Sequence, residues 1–254
     1  MIKVENIDVW GFEHAIRGMR NPLNSWDKSD SDVAFHAVEN FASDDPMRYK
    51  YYEWNDKYNL NIKIGKNDLD LMQRLYKAGT EHRKYLRQIF VSMDIVAPLY
   101  WWKEADTYKV GTVSNSCSTM HKIAEKEFTL DDFSCEHLSR LVTNIKDSEE
   151  TCNYDYKEVL QLTINALNAS RTMYLKTKDK DYWWQMIQLL PSSYNQRRTI
   201  TMNYENVMTI INQRTGHKLD EWGDFIKILH DLPYVDDIRG EVPDSVLLKR
   251  SMLL

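Results

Sequence analysis

Two polar residues in the last quarter of the chain, Asn203 and Arg214, have a spacing that suits ligand binding. They are eleven positions apart, which in an α-helix is three turns plus about 20° and roughly 16 Å along the axis. Val207 and Ile210 fall between them on the same stripe, so the helix predicted here carries an amide and a guanidinium on an apolar face. A fixed cation in a dry cavity stabilises negative charge that develops on a ligand.

A structural interpretation of the same two residues stays open. Asn203 would then cap a neighbouring loop, and Arg214 would pair with a carboxylate such as Asp220, because a buried arginine is usually paired. The position of both residues on one predicted stripe weighs against this structural interpretation.

The segment from Gly111 to His121 is dense in small hydroxylated residues, which hydrogen-bond readily to phosphate. With the backbone of Gly111 and Thr112, four side chains are candidates for an anion site: Lys109, Ser114, Ser116 and Ser118. A second anion contact is available from Arg20, together with Asn21 and Ser25. A solvated loop between a strand and a helix explains the hydroxylated segment equally well.

Composition excludes several classes of protein. With 254 residues, 43% of them hydrophobic, the chain is long and apolar enough to form a core. A formal net charge of -5 gives no general attraction for genomic nucleic acid. Only 8 glycines occur, and neither the dinucleotide-binding nor the P-loop glycine motif is present. The three cysteines form no Cys-x-x-Cys pair, so neither a disulfide framework nor a metal site is predicted.

Membrane insertion and export are not predicted. The longest apolar run, Ile95 to Trp102, is far shorter than the roughly 20 residues of a spanning helix. The start of the chain, Met1 to Asp8, lacks the basic, apolar and small-residue regions of an export signal. We therefore expect a cytoplasmic protein.

The elements that must position these residues follow from periodicity and from helix-ending residues. Residues 7–20 predict a short strand and a helix, and Asn59 to Gly65 alternates like a half-buried strand. A helix is predicted from Asn67 to Gly79 with Leu69, Met72, Leu75 and Tyr76 on one face, followed by a short helix from Thr80 to Tyr85. A strand is predicted through Ile89, Val91, Met93 and Ile95 up to Pro98, and an extended aromatic segment from Leu99 to Val110.

The second half of the chain is predicted to be helical. One helix is marked by Leu138, Leu141, Val142 and Ile145, and a longer one by Leu160, Ile164, Leu167 and Tyr174. Pro191 to Ser193 would open the helix that ends at Gly216, and residues 219–232 would form the last helix. The prediction is an α+β fold with an antiparallel sheet and a helix-rich C-terminal half, as one domain over residues 1–235 with a tail over 236–254.

The C-terminal half resembles the flavin-dependent thymidylate synthases. The residues that carry the resemblance, in order, are Leu190-Pro191, Tyr194, Asn203, Arg214, His217 and Glu221-Trp222. Upstream, the family has a strand entering through an alanine-proline step, here Ala97-Pro98, followed by the signature R-H-R-x7-S. Gly79, Glu81 and His82 are similar to the glycine and the glutamate-histidine that precede this strand in the family.

The signature itself is replaced in this chain. Aligned on Pro98, the R-H-R triplet becomes Thr107-Tyr108-Lys109, and the serine becomes Cys117. Family members use these groups to hold the flavin and the phosphate of dUMP across a tetramer interface. Loss of two arginines removes charge-assisted hydrogen bonds worth roughly 1.5–3 kcal/mol each.

The resemblance implies an FAD-dependent methyltransferase acting on a pyrimidine deoxynucleotide such as dUMP. Methylenetetrahydrofolate and NADPH would be co-substrates, and the protein would be a homotetramer. Arg214 would be catalytic; the cofactor-binding residues would be Asn203, His217, Lys109 and Ser25; the substrate-binding residues would be Ser114, Ser116, Ser118 and Arg20. The alternative is a member of the fold that has lost catalysis and binds a nucleotide or a protein.

Overall fold

A computed structural model of the chain describes residues 2–33, 58, 60, 62–139 and 155–240. Its strands are β1 (Lys3–Trp10), β2 (Asp32–Val33), β3 (Ile62–Lys63), β4 (Phe90–Pro98), β5 (Thr112–Ser116) and β6 (Asn195–Asn203). Its α-helices are α1 (Phe12–Arg20), α2 (Lys66–Lys77), α3 (Leu99–Ala105), α4 (Tyr156–Thr177), α5 (Lys180–Leu189), α6 (Tyr204–Arg214), α7 (Asp220–His230) and α8 (Val235–Arg239).

Four strands form one antiparallel sheet in the order β1-β4-β6-β5. The short strands β2 and β3 pair separately and antiparallel, with Asp32 opposite Lys63. The described part of the chain thus combines a four-stranded sheet with eight helices, and the predicted α+β class is confirmed.

The chain divides into two compact units. Unit 1 comprises Met1–Lys3, Ile95–Thr107 and Asn115–Thr199, and unit 2 comprises Val4–Asp94, Tyr108–Ser114 and Ile200–Leu254. The predicted single domain ending at residue 235 stays a prediction. Near that boundary α8 buries Val235 and Ile238, and residues 241–254 of the predicted tail lie outside the described residues.

Unit 1 is built around α4 and α5. The Asp155 carboxylate accepts hydrogen bonds from the backbone N–H groups of Lys157 and Glu158 and so caps α4. The predicted long helix is confirmed, and its buried face joins an apolar cluster formed by Ile123, Ala124, Phe128, Phe133, Leu160, Ile164, Leu167 and Met186. The helix predicted from Leu138 to Ile145 falls mostly outside the described residues.

Unit 2 contains α1, α2, α6, α7 and α8 and the first part of β4. Its core includes Phe12, whose ring meets those of Tyr204 and Tyr234 edge-on at centroid distances of 5.5 and 5.4 Å. The strand predicted up to Pro98 is confirmed as β4, in which alternate residues from Val91 to Ala97 are 0% exposed.

The helix predicted from Pro191–Ser193 to Gly216 is wrong over its first half. Residues 195–203 form β6 between β4 and β5, and the helix begins only at Tyr204. Gln196, Ile200 and Met202 are buried, and this even-numbered pattern has the period of a strand. Hydrogen bonds from two flanking strands, which the local sequence does not specify, decide the conformation here.

Three other local predictions also need correction. The segment predicted to be extended from Leu99 forms α3, which buries Trp101 and Trp102. The short helix predicted from Thr80 lies at Lys84–Gln88 and is a 3-10 helix. The hydroxylated segment predicted as a loop contains the strand β5, which is paired with β6.

Candidate functional site

Helix α6 places Asn203 and Arg214 at its two ends. Asn203 is the last residue of β6 and the N-cap of α6, where its Oδ1 accepts a hydrogen bond of 3.0 Å from the backbone N–H of Asn206. Arg214 is the last helical residue. The predicted separation of roughly 16 Å therefore holds along the axis, but the predicted shared stripe inside one helix is wrong, because Asn203 stands at the junction of strand and helix.

A loop of unit 2, Lys109–Thr112, is held against the start of α6. The side-chain Nδ2 of Asn206 donates to the carbonyl oxygen of Val110 at 2.8 Å and to Oγ1 of Thr112 at 2.9 Å. Gly111 has φ +77°, and a Cβ placed on it would stand 2.6 Å from Nδ2 of Asn203. Glycine is required at this position by both its backbone conformation and the close approach.

The amide of Asn203 is largely enclosed by this arrangement. The residue is 9% exposed, and within the described chain its side-chain hydrogen bond uses Oδ1. The Nδ2 atom lies beside Gly111, which has no side chain to cover it. Its two N–H groups are therefore the donors that a ligand could use.

Arg214 is held by two aromatic residues. Its Nε donates a hydrogen bond of 2.8 Å to the Tyr108 hydroxyl, and its Cζ lies 5.5 Å from the Tyr108 ring centroid and 4.7 Å from that of Trp222. Trp222 is fully buried. Cation–π attraction and the hydrogen bond to Tyr108 therefore both help to restrain the guanidinium.

Tyr108 connects Arg214 to its neighbour in sequence. The Tyr108 hydroxyl donates to Oε1 of Gln213 at 3.0 Å, so its single proton points away from the guanidinium and a lone pair faces Arg214. Sequence reasoning did not find this role for Tyr108, Gln213 or Trp222. The available signal was an aromatic residue in the middle of the replaced R-H-R triplet.

His217 follows the C-terminal end of α6. Its backbone N–H donates to the carbonyl oxygen of Arg214 at 3.0 Å, and its ring Nδ1 accepts from the N–H of Leu219 at 3.2 Å. The ring meets Trp222 edge-on at 6.2 Å between centroids. His217 thus shares an aromatic neighbour with Arg214.

The first turn of α6 carries an ion-pair cluster that sequence reasoning also missed. Glu205 binds Arg87 and Arg83, the latter with Nε 3.4 Å from Oε1. Burial raises the pKa of Glu205, but the hydrogen bonds and charges of Arg87 and Arg83 outweigh burial, so the pKa lies below its ordinary value. An ionised carboxylate at a helix N-terminus is also favoured by the helix dipole.

The predicted anion-binding residues are distributed over the chain. Lys109 and Ser114 are exposed residues of unit 2, whereas Ser116 and Ser118 belong to unit 1. The hydroxyl of Ser118 accepts a hydrogen bond of 3.0 Å from the backbone N–H of His121. The structure brings Lys109 to the loop beside Asn203, and the assignment of the three serines to substrate stays a prediction.

Arg20 and Ser25 lie together in unit 2, in a buried polar cluster. Arg20 is 4% exposed; its Nε lies 2.5 Å from Oδ1 of Asp68, and its Nη1 donates to the carbonyl oxygen and hydroxyl of Ser25. The guanidinium of Arg20 is therefore engaged inside the chain. The predicted roles of Arg20 toward a substrate and of Ser25 toward a cofactor stay untested.

Asp68 is the centre of this buried cluster. Its Oδ2 accepts hydrogen bonds from Ser29, Asp30 and Ser31, with the shortest, from Ser31 Oγ, at 2.6 Å. Burial alone would raise the pKa of Asp68. The hydrogen bonds from Ser31, Ser29 and Arg20 lower the pKa by more than burial raises it, so the pKa lies below its ordinary value. The cluster ties the segment after α1 to α2, and it accounts for the buried aspartate in this helix.

The described residues contain neither a metal site nor a membrane span. No cluster of three or more His, Cys, Asp or Glu side chains in ranges 2–33, 62–139 and 155–240 has the geometry to hold a metal ion. None of the described helices has the length and hydropathy to cross a membrane.

Comparison with known proteins relates this chain to solved structures only. No family model matches, and no curated protein matches in sequence. Two structures of the flavin-dependent thymidylate synthase ThyX from Helicobacter pylori, both with FAD and dUMP, are similar at 15% identity with TM-scores of 0.56 and 0.55. Their superpositions cover 94% and 92% of this chain and 97% of each of those chains.

A third similar structure is the UMP/dUMP methylase PolB from Streptomyces cacaoi, bound with 5-Br dUMP. It has 13% identity and a TM-score of 0.55, and the superposition covers 95% of this chain and 96% of that one. Likeness at this level of identity establishes the fold. The chain therefore has the fold of the flavin-dependent thymidylate synthases.

Proposed function

We propose that this protein is an enzyme of the flavin-dependent thymidylate synthase type, which transfers one carbon from a folate to dUMP or a related pyrimidine deoxynucleotide. The observation that carries the proposal is Arg214, whose guanidinium is restrained by Tyr108 and Trp222 in a fold that FAD- and dUMP-bound proteins share. A cation that is already oriented requires little reorganisation when charge develops next to it.

Arg214 would stabilise negative charge that develops on the pyrimidine ring. It is half-buried and contacts the fully buried Trp222, and Coulomb attraction is stronger in such surroundings than in water. Its position at the C-terminal end of α6 is also favoured by the helix dipole. No side chain is proposed as a covalent nucleophile.

The residues beside Asn203 fit a flavin nucleotide. The Nδ2 donors of Asn203 lie next to Gly111, which lacks the Cβ that would otherwise stand 2.6 Å away. Lys109 adds an exposed positive charge, and His217 lies beyond the other end of α6. When bound, reduced FAD would supply the hydride, methylenetetrahydrofolate the carbon, and NADPH the electrons that reduce the flavin again.

The nucleotide phosphate would be bound with fewer charges than in the family. Thr107 and Lys109 replace the two arginines of the R-H-R triplet, which leaves one ammonium where the family has two guanidinium groups. Ser114, Ser116, Ser118 and Arg20 are the further contacts that we propose. The homotetramer implied by the family resemblance belongs to the same proposal, as does the cytoplasmic location expected from the sequence.

The test uses the purified protein of 254 residues. We expect it to retain FAD, with flavin absorbance after gel filtration, and to convert dUMP to thymidylate with methylenetetrahydrofolate and NADPH, as measured by mass spectrometry of the nucleotide. Absence of flavin binding at excess FAD, together with absence of thymidylate, would rule out the proposal. Parallel reactions with dCMP and UMP define which pyrimidine is the substrate.

A second candidate function follows from the residues that stand where the family has its R-H-R triplet. With Thr107-Tyr108-Lys109 in place of R-H-R and the Tyr108 hydroxyl already bound to Arg214, the chain would serve as a nucleotide- or protein-binding module that has lost catalysis. Thermal unfolding separates the two functions, because a ligand that binds only the folded state raises the melting temperature. Stabilisation by dUMP without flavin binding or turnover would favour nucleotide binding, and no response to any nucleotide would favour a protein partner.

A further inference from the structure

We infer that Tyr108 is a positioning residue for Arg214, which sets the orientation of the guanidinium through its hydroxyl and its ring. This inference deepens the proposed function, and the part of its test that measures thymidylate formation rests on that function. Its geometric part, that Tyr108 orients Arg214, concerns this chain alone and is tested separately.

Three contacts with aromatic side chains contribute to this orientation. The hydrogen bond from Nε to the Tyr108 hydroxyl, at 2.8 Å, fixes one edge of the planar guanidinium. The Tyr108 ring and the Trp222 ring, at 5.5 and 4.7 Å from Cζ, restrain the plane itself. The two rings contact each other edge-on at 6.1 Å between centroids, so they form one aromatic surface around the cation.

Gln213 sets the direction of the hydrogen bond. A tyrosine hydroxyl has one proton, and Tyr108 donates it to Oε1 of Gln213 at 3.0 Å. The Tyr108 hydroxyl oxygen therefore faces Arg214 with a lone pair and accepts the hydrogen bond from Nε, instead of directing its own proton toward the cation. Because Gln213 and Arg214 are adjacent on α6, one tyrosine holds both the cation and the end of the helix that carries it.

A second tyrosine in unit 2 provides a matched control. The Tyr76 hydroxyl accepts from Nη1 of Arg239 at 3.3 Å, and its ring lies 5.6 Å from Cζ of Arg83. Tyr76→Phe removes the same chemical group from a similar tyrosine–arginine contact without touching Arg214. Comparison with Tyr108→Phe thus isolates the contact at Arg214.

The first measurement does not depend on enzymatic activity. Phenylglyoxal modifies arginine side chains, and peptide mass spectrometry gives the rate at Arg214 separately from other arginines. We expect Tyr108→Phe to raise the rate at Arg214 about tenfold, the change expected from losing a hydrogen bond to a charged group. Tyr76→Phe is expected to leave the Arg214 rate unchanged and to raise the rate at Arg239.

The second measurement separates kcat from KM in thymidylate formation. Because the retained Phe ring still stacks on the guanidinium, Tyr108→Phe should lower kcat about tenfold while the KM for dUMP stays near that of the parent, as for an interaction that matters in the transition state. Tyr76→Phe should keep the parental kcat. A loss of stability alone would affect the two variants alike.

The possible outcomes are distinguishable. Equal Arg214 modification rates in Tyr108→Phe and the parent protein overturn the positioning inference, as does an unchanged kcat. If the parent protein forms no thymidylate, the proposed function fails, and the modification rates still decide whether Tyr108 orients Arg214.

Discussion

Gly111 lies so close to Asn203 that a Cβ on the glycine would stand 2.6 Å from the side-chain nitrogen. The close approach joins the loop Lys109–Thr112 to the N-cap of α6, and Asn206 secures it with two hydrogen bonds. The loop Lys109–Thr112 is thus part of the structure around Asn203. Substitutions on either side of this contact should therefore have measurable effects.

Gly111→Ala should destabilise the protein through both steric overlap and backbone strain. A left-handed conformation costs a residue with a Cβ about 1–2 kcal/mol, and displacement of Asn203 adds to this cost. Gly216→Ala is the control, because Gly216 has φ +75° but a Cβ added to it would meet no heavy atom within 4 Å. In urea unfolding, the larger loss should occur in Gly111→Ala; equal losses would show that the contact with Asn203 is unimportant.

Asn206→Asp should release the loop Lys109–Thr112 from α6. The substitution replaces the donor that binds Val110 and Thr112 with an acceptor, at a cost of about 1–3 kcal/mol for the groups left without a donor. Limited trypsin digestion should then cleave after Lys109 faster than in the parent protein. Asn212→Asp, the same change on the same helix, should not alter that cleavage rate, and an equal increase there would contradict the assignment.

Asp68→Asn should be strongly destabilising at neutral pH. It removes the charge partner of the buried Arg20, and breaking a buried ion pair typically costs about 3–5 kcal/mol. Asp70→Asn on the same helix is the control, because Asp70 pairs with Arg74 at the surface, with both side chains more than 60% exposed, where such pairs contribute about 0–1 kcal/mol.

The effect of Asp68 should depend on pH in a defined direction. Because its pKa is lowered in the folded state, the carboxylate contributes stability above its unfolded pKa of about 3.9, and the contribution is lost as the pH falls through the folded pKa. The difference in unfolding free energy between the parent protein and Asp68→Asn should therefore be full at pH 6 and shrink below about pH 4. A difference that grows on acidification would show that the sign is wrong.

Arg214→Ala should abolish thymidylate formation without unfolding the protein. Removal of one charge-stabilising group in an active site typically lowers kcat by about 10²–10³. Arg198→Ala in unit 1 is the control, since Arg198 also stacks on a tryptophan, with Cζ 4.3 Å from the Trp102 ring, and pairs with Asp106. That variant should lose stability and retain the kcat of its folded fraction; unchanged kcat in Arg214→Ala would remove the catalytic assignment.

Local periodicity was sufficient to predict the elements whose burial pattern repeats within a few residues. The strand β4 alternates fully buried residues from Val91 to Ala97, and α4 buries Leu160, Ile164 and Leu167 at helical spacing. Both patterns are strong because one face of each element meets a core. The same reasoning failed at β6, where residues 195–203 are a strand because neighbouring strands supply their hydrogen bonds.

The sequence by itself determined that an amide and a guanidinium stand about three helical turns apart, because the eleven-residue spacing between Asn203 and Arg214 is a local property of the chain. Only the tertiary structure decided what these groups contact. Tyr108 is 106 residues from Arg214, and Arg20 is 48 residues from Asp68. Such partners are selected by packing of distant segments, whereas sequence periodicity reports neighbours three or four residues apart.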